Sequence, residues 1–319
     1  MVCPYCGNLC EGKRFCADCG EELVPTLAMA AGVPSVITSP SAVSQPSALG
    51  DLTGRTLDQK YFLESKLGVG GMGTVYRASR LLIGDSVAVK VLHQDQMVDP
   101  RALERFRREA QIAARLKHPN VVSVYDFGVS TEGLSYLVMD LAEGENLGSL
   151  IERQGKLVET DAAEIVRQTC AALDEAHKQG VVHRDIKPQN IIVQTASEGL
   201  QVKVLDFGSA ASHDLTASKL TRTGAVVGTP HYMSPEHCLG EELDGRSDIY
   251  SLGVVLFEML TGIVPFDSTT TTAIVVKHVN DAPPPPRMLN PNISPAVESA
   301  ALRALEKQRD ARPQTAGEM

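Results

Sequence analysis

Hydrophobic and polar residues follow two different patterns along the chain. Between residues 61 and 139, apolar stretches rich in valine and aromatic side chains are punctuated by glycines, which is typical of β-strands. This pattern predicts strands at residues 61–67, 74–80, 86–92, 121–127 and 135–139, and a helix with a charged face at residues 101–116. After residue 146, apolar residues recur every three or four positions, as in residues 160–179 and 247–261, which predicts helices. We therefore expect an α+β fold in which a β-rich lobe, ending near Leu141, precedes a larger helical lobe across a cleft.

The N-terminal part of the chain differs in composition from this globular part. Residues 1–24 are rich in cysteine and glycine, whereas residues 25–54 consist mainly of alanine, serine, proline, valine and threonine. We expect a small N-terminal unit, a flexible linker over residues 25–54, and a globular domain over residues 55–319; a folded strand pair is the alternative for the linker. Residues 309–319 resemble a helix that has not ended, so the natural protein is expected to continue past residue 319.

Composition and charge exclude several classes of protein. Of the 319 residues, 43% are hydrophobic, which allows a sizeable core. The net charge of -9 makes the chain a poor general binder of nucleic acid or of anionic membranes. The sequence has neither an apolar run of membrane-spanning length nor a charged segment followed by an apolar one at its start. We expect a cytoplasmic protein that is attached to a membrane only if the natural chain continues past residue 319.

The first 20 residues contain two C-x-x-C-G units, in which the paired cysteines are Cys3 with Cys6 and Cys16 with Cys19, and nine residues separate the two pairs. Four thiolates at this spacing suit a tetrahedral zinc ion, so we expect a short zinc ribbon. A disulfide pair and a redox C-x-x-C motif are the alternatives. Cys10 is left over as a spare thiol or an alternative ligand. Because the segment has few basic residues, we expect it to contact protein or to cap the chain rather than to bind nucleic acid.

A glycine-rich segment, Gly68-Val69-Gly70-Gly71-Met72-Gly73, lies between two predicted strands. Glycines let a backbone approach a polyphosphate without clashes from Cβ atoms. A dinucleotide-binding segment of this spacing would be followed by a helix, whereas residues 74–78 predict a strand; a merely glycine-rich hairpin remains as the alternative. The next strand ends in Lys90, and a lysine on a buried strand needs a partner because desolvating its charge is costly. Glu109, on the predicted charged helix, is an available partner.

Acidic, amide and cationic side chains are concentrated in one string, His183-Arg184-Asp185-Ile186-Lys187-Pro188-Gln189-Asn190. Asp206-Phe207-Gly208 follows an apolar strand at residues 202–205, sixteen residues beyond Asn190. A lone Asp-Phe-Gly is a common turn, but its position after this string indicates a shared site.

Together, these motifs resemble those of the eukaryotic-like protein kinases, and most closely those of the bacterial serine/threonine branch. The resemblance extends over residues 56–319 and also includes Asp248, Gly253 and Arg312; the family's Ala-Pro-Glu is Ser234-Pro235-Glu236 here. It implies a bilobal protein-kinase fold. It also implies transfer of the γ-phosphoryl of ATP, with Mg²⁺ or Mn²⁺, to serine or threonine hydroxyls of protein substrates.

The resemblance implies a role for each motif residue. Lys90, held by Glu109, would bind the α- and β-phosphates, and Lys187 the γ-phosphate. Asp185 would orient the substrate hydroxyl and accept its proton, while Thr229 would bond this aspartate and Lys187. Asn190 and Asp206 would hold Mg²⁺, which prefers oxygen ligands. The ATP site would comprise Leu67, Gly68, Gly70, Gly71, Gly73, Val75, Ala88, Lys90, Met139, Asp140, Ala142 and Ile192, with residues 139–142 as the hinge that binds adenine.

Seven further residues receive structural or regulatory roles from the same resemblance. His183 and Phe207 would pack, and Glu236 would form a buried ion pair with Arg312. Thr221 and Thr223, in the hydroxyl-rich segment of residues 214–227, occupy the place where related bacterial kinases carry phosphothreonines. A phosphate there would pair with Arg184, beside the catalytic aspartate, and would order the loop. Such autophosphorylation would bring two copies of the chain together transiently.

Two other classes of function compete with an active protein kinase. A pseudokinase scaffold would bind partners through the ribbon and the linker, but it would lack one of Lys90, Asp185 and Asp206, all of which are present. A small-molecule kinase of similar fold is disfavoured by the sequence of residues 228–236, which resembles the loop that receives protein substrates.

Overall fold

The computed structural model describes residues 50–97, 99–197, 199–207 and 230–319. The predicted ribbon and most of the predicted linker lie outside these residues. The first lobe contains β1 (Thr56–Leu57), β2 (Tyr61–Val69), β3 (Gly73–Arg80), β4 (Ser86–Leu92), β5 (Val124–Val129) and β6 (Ser135–Asp140). These strands form one antiparallel sheet in the order β1-β2-β3-β4-β6-β5. The strand predicted at residues 121–127 starts later, because Val121 and Val122 pair instead with Val204 of the second lobe.

Two helices, α1 (Gln94–Met97) and α2 (Pro100–Arg115), follow β4. The helix α2 begins where Asp99 accepts a hydrogen bond from the Arg101 backbone N–H, with Pro100 in the first turn. Its apolar face packs against the sheet, and the Phe106 ring lies 5.6 Å from that of Phe127. The predicted helix at residues 101–116 is therefore confirmed, displaced by one residue.

The second lobe is mainly helical, as predicted. Its helices are α3 (Leu147–Gln154), α4 (Glu159–Lys178), α5 (Pro235–Leu239), α6 (Gly245–Thr261), α7 (Thr271–Asn280), α8 (Pro286–Leu289) and α9 (Pro295–Ala304). The helix α6 is apolar over most of its circumference and lies in the core. It carries Gly253, where an added Cβ would overlap the Cβ of Ala304 on α9, so the close approach of these helices requires glycine.

The second lobe also contains a small antiparallel sheet, whose last strand leads to Asp206. It consists of β7 (Glu145–Asn146), β8 (Ile191–Ala196) and β9 (Gly199–Val204), of which the sequence predicts only the end of β9. The helix expected at residues 309–319 is wrong, because two single-turn 3-10 helices, Arg309–Ala311 and Ala316–Glu318, occupy this segment. Among the described residues, no helix combines the length and apolarity needed to cross a bilayer.

Candidate active site

The glycine-rich segment joins β2 to β3 in a tight turn. The Gly70 N–H donates to the Gly73 carbonyl at 2.9 Å. A Cβ added at Gly73 would overlap the Val91 carbonyl of β4, so glycine is required there by packing. At Gly68 and Gly71, an added Cβ would meet no atom within 4 Å. The segment therefore keeps open space beside its backbone, as a phosphate-covering loop needs.

Apolar side chains from both lobes form a surface next to this turn. Ala88, Val122 and Met139 are buried, and partly buried side chains pack against them: Val75, Val124, Leu141, Ala142 and Leu205. This surface unites four residues that the resemblance assigns to the adenine pocket, namely Val75, Ala88, Met139 and Ala142. The sequence does not single out Leu205, although its position directly before Asp206 is a usable signal. Ile192 lies half-buried on β8 opposite Asn146 and is not part of this cluster.

Asp140 lies within the hinge predicted at residues 139–142, and its backbone N–H donates to the Ser123 carbonyl at 2.8 Å. The Asp140 carboxylate accepts a hydrogen bond from Lys203 Nζ on β9 at 3.0 Å and from the Tyr125 hydroxyl on β5 at 3.3 Å. These contacts join the end of the first sheet to the strand that leads into Asp206. Leu67, also expected at the ATP site, is half exposed.

Lys90 and Asp206 form an ion pair, with Nζ and Oδ1 3.3 Å apart. Burial alone would lower the pKa of Lys90, but the carboxylates of Asp206 and Glu109 outweigh it and raise the pKa. The adjacent Lys90 charge in turn lowers the pKa of Asp206. This arrangement differs from the expectation that Glu109 holds Lys90.

Glu109 lies on the buried face of α2, with 6% of its surface exposed. Within the described part of the chain, its Oε1 has no hydrogen-bond partner. Burial raises its pKa to about 7, because the charged form is poorly solvated there. Glu109 nevertheless lines the same cavity as Lys90, Asp206 and Phe207.

The string of residues 183–190 brings its polar side chains together. Asp185 Oδ2 accepts hydrogen bonds from Lys187 Nζ at 2.7 Å and from Asn190 Nδ2 at 3.1 Å. Asn190 Nδ2 also donates to the Asp185 carbonyl, so the side-chain oxygen of Asn190 takes no part in these bonds and is available to a ligand. The three residues that the resemblance assigns to the hydroxyl, the γ-phosphate and the metal are therefore adjacent.

Asp248 of α6 fixes the backbone of this string. Its two carboxylate oxygens accept the backbone N–H groups of His183 and Arg184, each at 2.8 Å, and Oδ2 also accepts from His177 Nε2. Arg184 has φ of 68°, a conformation that is unfavourable for a residue with a Cβ and needs such support. Asp248 is therefore a positioning residue, a role that its place in the motif set alone does not reveal.

His183 and Phe207 pack as expected. Their rings lie edge to face with centroids 4.7 Å apart, and His183 Nε2 donates to the Leu205 carbonyl at 2.8 Å. Phe207 is almost completely buried. The segment that carries Asp206 is thus held against the string that carries Asp185.

Several predicted positions lie outside the described residues: Gly208, Thr221, Thr223, Thr229, Cys3, Cys6, Cys16 and Cys19. Across the described ranges, no group of three or more His, Cys, Asp or Glu side chains could hold a metal ion. A site built from Asp206 and Asn190 fits Mg²⁺ nevertheless, since this ion commonly takes few protein ligands and completes its shell with phosphate oxygens and water.

Comparison with known proteins agrees with this geometry. Residues 61–316 match the family model described as protein kinase domain. The serine/threonine-protein kinase pkn3 of Myxococcus xanthus is 44% identical over 271 residues, which is 83% of this chain and 50% of that protein. The serine/threonine-protein kinase PknB of Mycobacterium tuberculosis is 41% identical over 266 residues, 82% of this chain and 42% of that protein.

The chain thus spans half or less of the length of these relatives. The crystal structure of the Mycobacterium tuberculosis PknI kinase domain aligns with a TM-score of 0.64 and 27% identity, covering 85% of this chain and 96% of that one. The chain therefore belongs to the protein kinase family, among the bacterial serine/threonine-protein kinases.

Proposed function

We propose that the chain transfers the γ-phosphoryl of ATP to serine and threonine hydroxyls of proteins. The observation that carries this proposal is the position of Asp185, whose carboxylate is bonded by Lys187 and Asn190. The neighbouring Lys90–Asp206 pair supplies the charges that bind a polyphosphate and its metal. A pseudokinase scaffold would not need this complete set.

The reaction is an in-line displacement at phosphorus. The substrate hydroxyl oxygen attacks the γ-phosphorus, the bond to the β–γ bridging oxygen breaks, and ADP leaves with that oxygen. Asp185 accepts the hydroxyl proton, while Lys187 counters the negative charge on the transferred group. Asp206 and Asn190 would hold Mg²⁺, which neutralises charge on the phosphates when it is bound.

The cavity that contains Lys90 is also lined by the carboxylates of Asp206 and Glu109. Either carboxylate can hold Lys90 in place while its amino group binds phosphate. In the described structure Lys90 is bonded to Asp206. When Asp206 holds the metal, Glu109 in the same cavity is the remaining carboxylate that can orient Lys90 toward the phosphates. The apolar surface of Val75, Ala88 and Met139 would hold the adenine ring.

The test of this function is transfer of label from γ-labelled MgATP to a generic protein substrate. We expect labelled phosphoserine and phosphothreonine after hydrolysis of the product. Absence of transfer by the folded protein would favour the scaffold. Label that appears only on small molecules would favour the small-molecule kinase.

We also propose that the chain phosphorylates itself at Thr221 and Thr223. These threonines lie between Asp206 and residues 228–230, in the segment that follows the metal ligand, and Arg184 is adjacent to Asp185. A phosphate adds nearly two negative charges and strong acceptors, which can order such a segment against an arginine.

Incubation with MgATP is therefore expected to place phosphate on Thr221 or Thr223, as read by mass spectrometry. The Asp185→Asn variant should carry none when it is incubated alone. Alanine at both threonines should slow phosphorylation of a protein substrate. Full activity of that double variant would show that this segment does not control the rate.

We further propose that Cys3, Cys6, Cys16 and Cys19 bind one structural zinc ion. A segment this short cannot bury enough apolar surface to fold unaided, whereas zinc binding contributes roughly 10–16 kcal/mol in comparable peptides. Metal analysis of the purified protein should give one zinc per chain, and Cys16→Ser should reduce the zinc content. A Cys10→Ser variant is the matched control and should retain the metal. Zinc loss from the Cys10 variant alone would reassign the ligand set.

A further inference from the structure

The outward face of α2 is strongly basic. Its exposed cations are Arg101, Arg107, Arg108 and Arg115, and the exposed Lys117 lies just beyond the helix end. We call these five residues the α2 basic face. Within the described residues of the helix, Glu104 is the only exposed acid. The opposite face is buried and includes Phe106 and Glu109.

Among the described residues, no contact accounts for this concentration of charge. Arg105, at the edge of the helix, pairs with Asp99 at 4.0 Å, but the α2 basic face forms no ion pair or side-chain hydrogen bond with any described residue. The first turn of α2 contains no acidic residue, so the Arg101 charge opposes the positive end of the helix dipole. This cost falls on Arg101, because Arg115 lies in the last turn, where the dipole favours a cation; an anionic ligand would offset the cost at Arg101.

The spacing of the arginines suits an elongated ligand. Arg101, Arg108 and Arg115 recur every seven residues and so lie along one side of the helix, about 10 Å apart. Guanidinium groups bind carboxylates and phosphates with two parallel hydrogen bonds, so such a row suits separate anionic groups along a chain.

We propose that the α2 basic face is a docking surface for an acidic segment of a partner protein. Nucleic acid and anionic membranes carry continuous negative charge, part of which would lie against Glu104 between Arg101 and Arg108. A polypeptide with spaced glutamates or aspartates can match the arginines and avoid Glu104. The acidic segment of the partner would lie on the outward side of α2, opposite the buried side chain of Glu109.

The experiment measures binding of a fluorescent glutamate-rich peptide to the full chain by anisotropy at low salt. The test variant is Arg101→Glu with Arg108→Glu. The control variant is Arg287→Glu with Arg303→Glu, which changes the net charge equally at exposed positions of the second lobe. We expect about tenfold weaker binding for the test variant, from the loss and reversal of two exposed ion pairs, and less than about twofold change for the control. Added salt should weaken the wild-type complex.

Single-stranded DNA and vesicles of anionic lipid are measured in the same way. Equal binding of the peptide by both variants, or no binding by the wild type, would overturn the proposal. Tighter, α2-dependent binding of DNA or vesicles would overturn the assignment to a polypeptide. Thermal unfolding of each variant establishes that both remain folded. The assay needs no phosphotransfer, so its outcome is separate from that of the proposed kinase function.

Discussion

Replacing Asp185 with Asn is expected to lower the rate of phosphotransfer by about 100-fold or more while the fold stays intact. Asparagine keeps the size of the side chain and can still accept a hydrogen bond, but it cannot accept the proton of the substrate hydroxyl. It also removes the negative charge that holds Lys187 Nζ at 2.7 Å. Lys90→Met should have an effect of the same order, because it removes the cation that pairs with Asp206 and would bind the phosphates.

Radiolabel transfer from MgATP measures both variants, and circular dichroism checks their fold. Asp310→Asn is the matched control, because its carboxylate is 95% exposed and pairs with Arg246 at the far end of the second lobe. This control should retain wild-type activity. Activity near that of the wild type in Asp185→Asn would refute the assigned mechanism, whatever the outcome for Lys90→Met.

The sequence predicts the elements of the first lobe well because their signals are local. Strands β2 to β4 are rich in valine, leucine and tyrosine, and the glycine-rich turn between β2 and β3 marks the end of one strand and the start of the next. The start of β5 is missed because Val121 and Val122 are as apolar as the strand itself. Only the fold shows that they pair with Val204, a residue more than eighty positions away.

The candidate active-site residues can be picked out from sequence motifs, but the contacts that their side chains make with one another cannot. Spacing within residues 183–190 suffices to place Asp185 beside Lys187 and Asn190, because the string is short. The partner of Lys90 depends on how α2 and the segment with Asp206 approach the sheet. Two carboxylates reach the same cavity; burial raises the pKa of Glu109, whereas the charge of Lys90 lowers that of Asp206.

The wrong prediction for residues 309–319 has a similar origin. The composition of this segment permits a helix, but Arg312 needs backbone acceptors. Its Nε donates to the Glu306 carbonyl at 2.7 Å, and Nη2 donates to the Lys307 carbonyl at 3.0 Å. The chain therefore wraps around the guanidinium, and Pro313 then prevents helix from continuing through it. This conformation depends on Glu236, a partner far away in the sequence, so local sequence patterns cannot predict it.

Replacing Arg312 with Met is expected to lower the free energy of unfolding by about 3–5 kcal/mol. Its side chain is fully buried, and its five N–H groups are all bonded, two of them to Glu236 at 2.8 and 2.9 Å and the others to backbone carbonyls. Methionine fills a similar volume but leaves Glu236 as an unpaired buried carboxylate. Urea unfolding at neutral pH, followed by circular dichroism, measures the loss.

The dependence of stability on acidic pH distinguishes the contribution of the Glu236–Arg312 ion pair from that of side-chain packing. Burial alone would raise the pKa of Glu236, but hydrogen bonds from Arg312 and Ser247 outweigh it and lower the pKa to about 2. In the wild type, the native state therefore binds fewer protons at this site than the unfolded chain. The stability that the ionised Glu236 contributes is complete above pH 4.5 and is lost as the pH falls toward 2.

In Arg312→Met the pKa of the unpaired Glu236 carboxylate should lie above its value in the unfolded chain. The loss of unfolding free energy relative to the wild type should therefore become smaller as the pH falls. Adding Glu236→Gln should recover part of the stability, because no buried charge then remains. A deficit that is constant across this pH range, and unchanged by Glu236→Gln, would show that Arg312 acts through its volume alone.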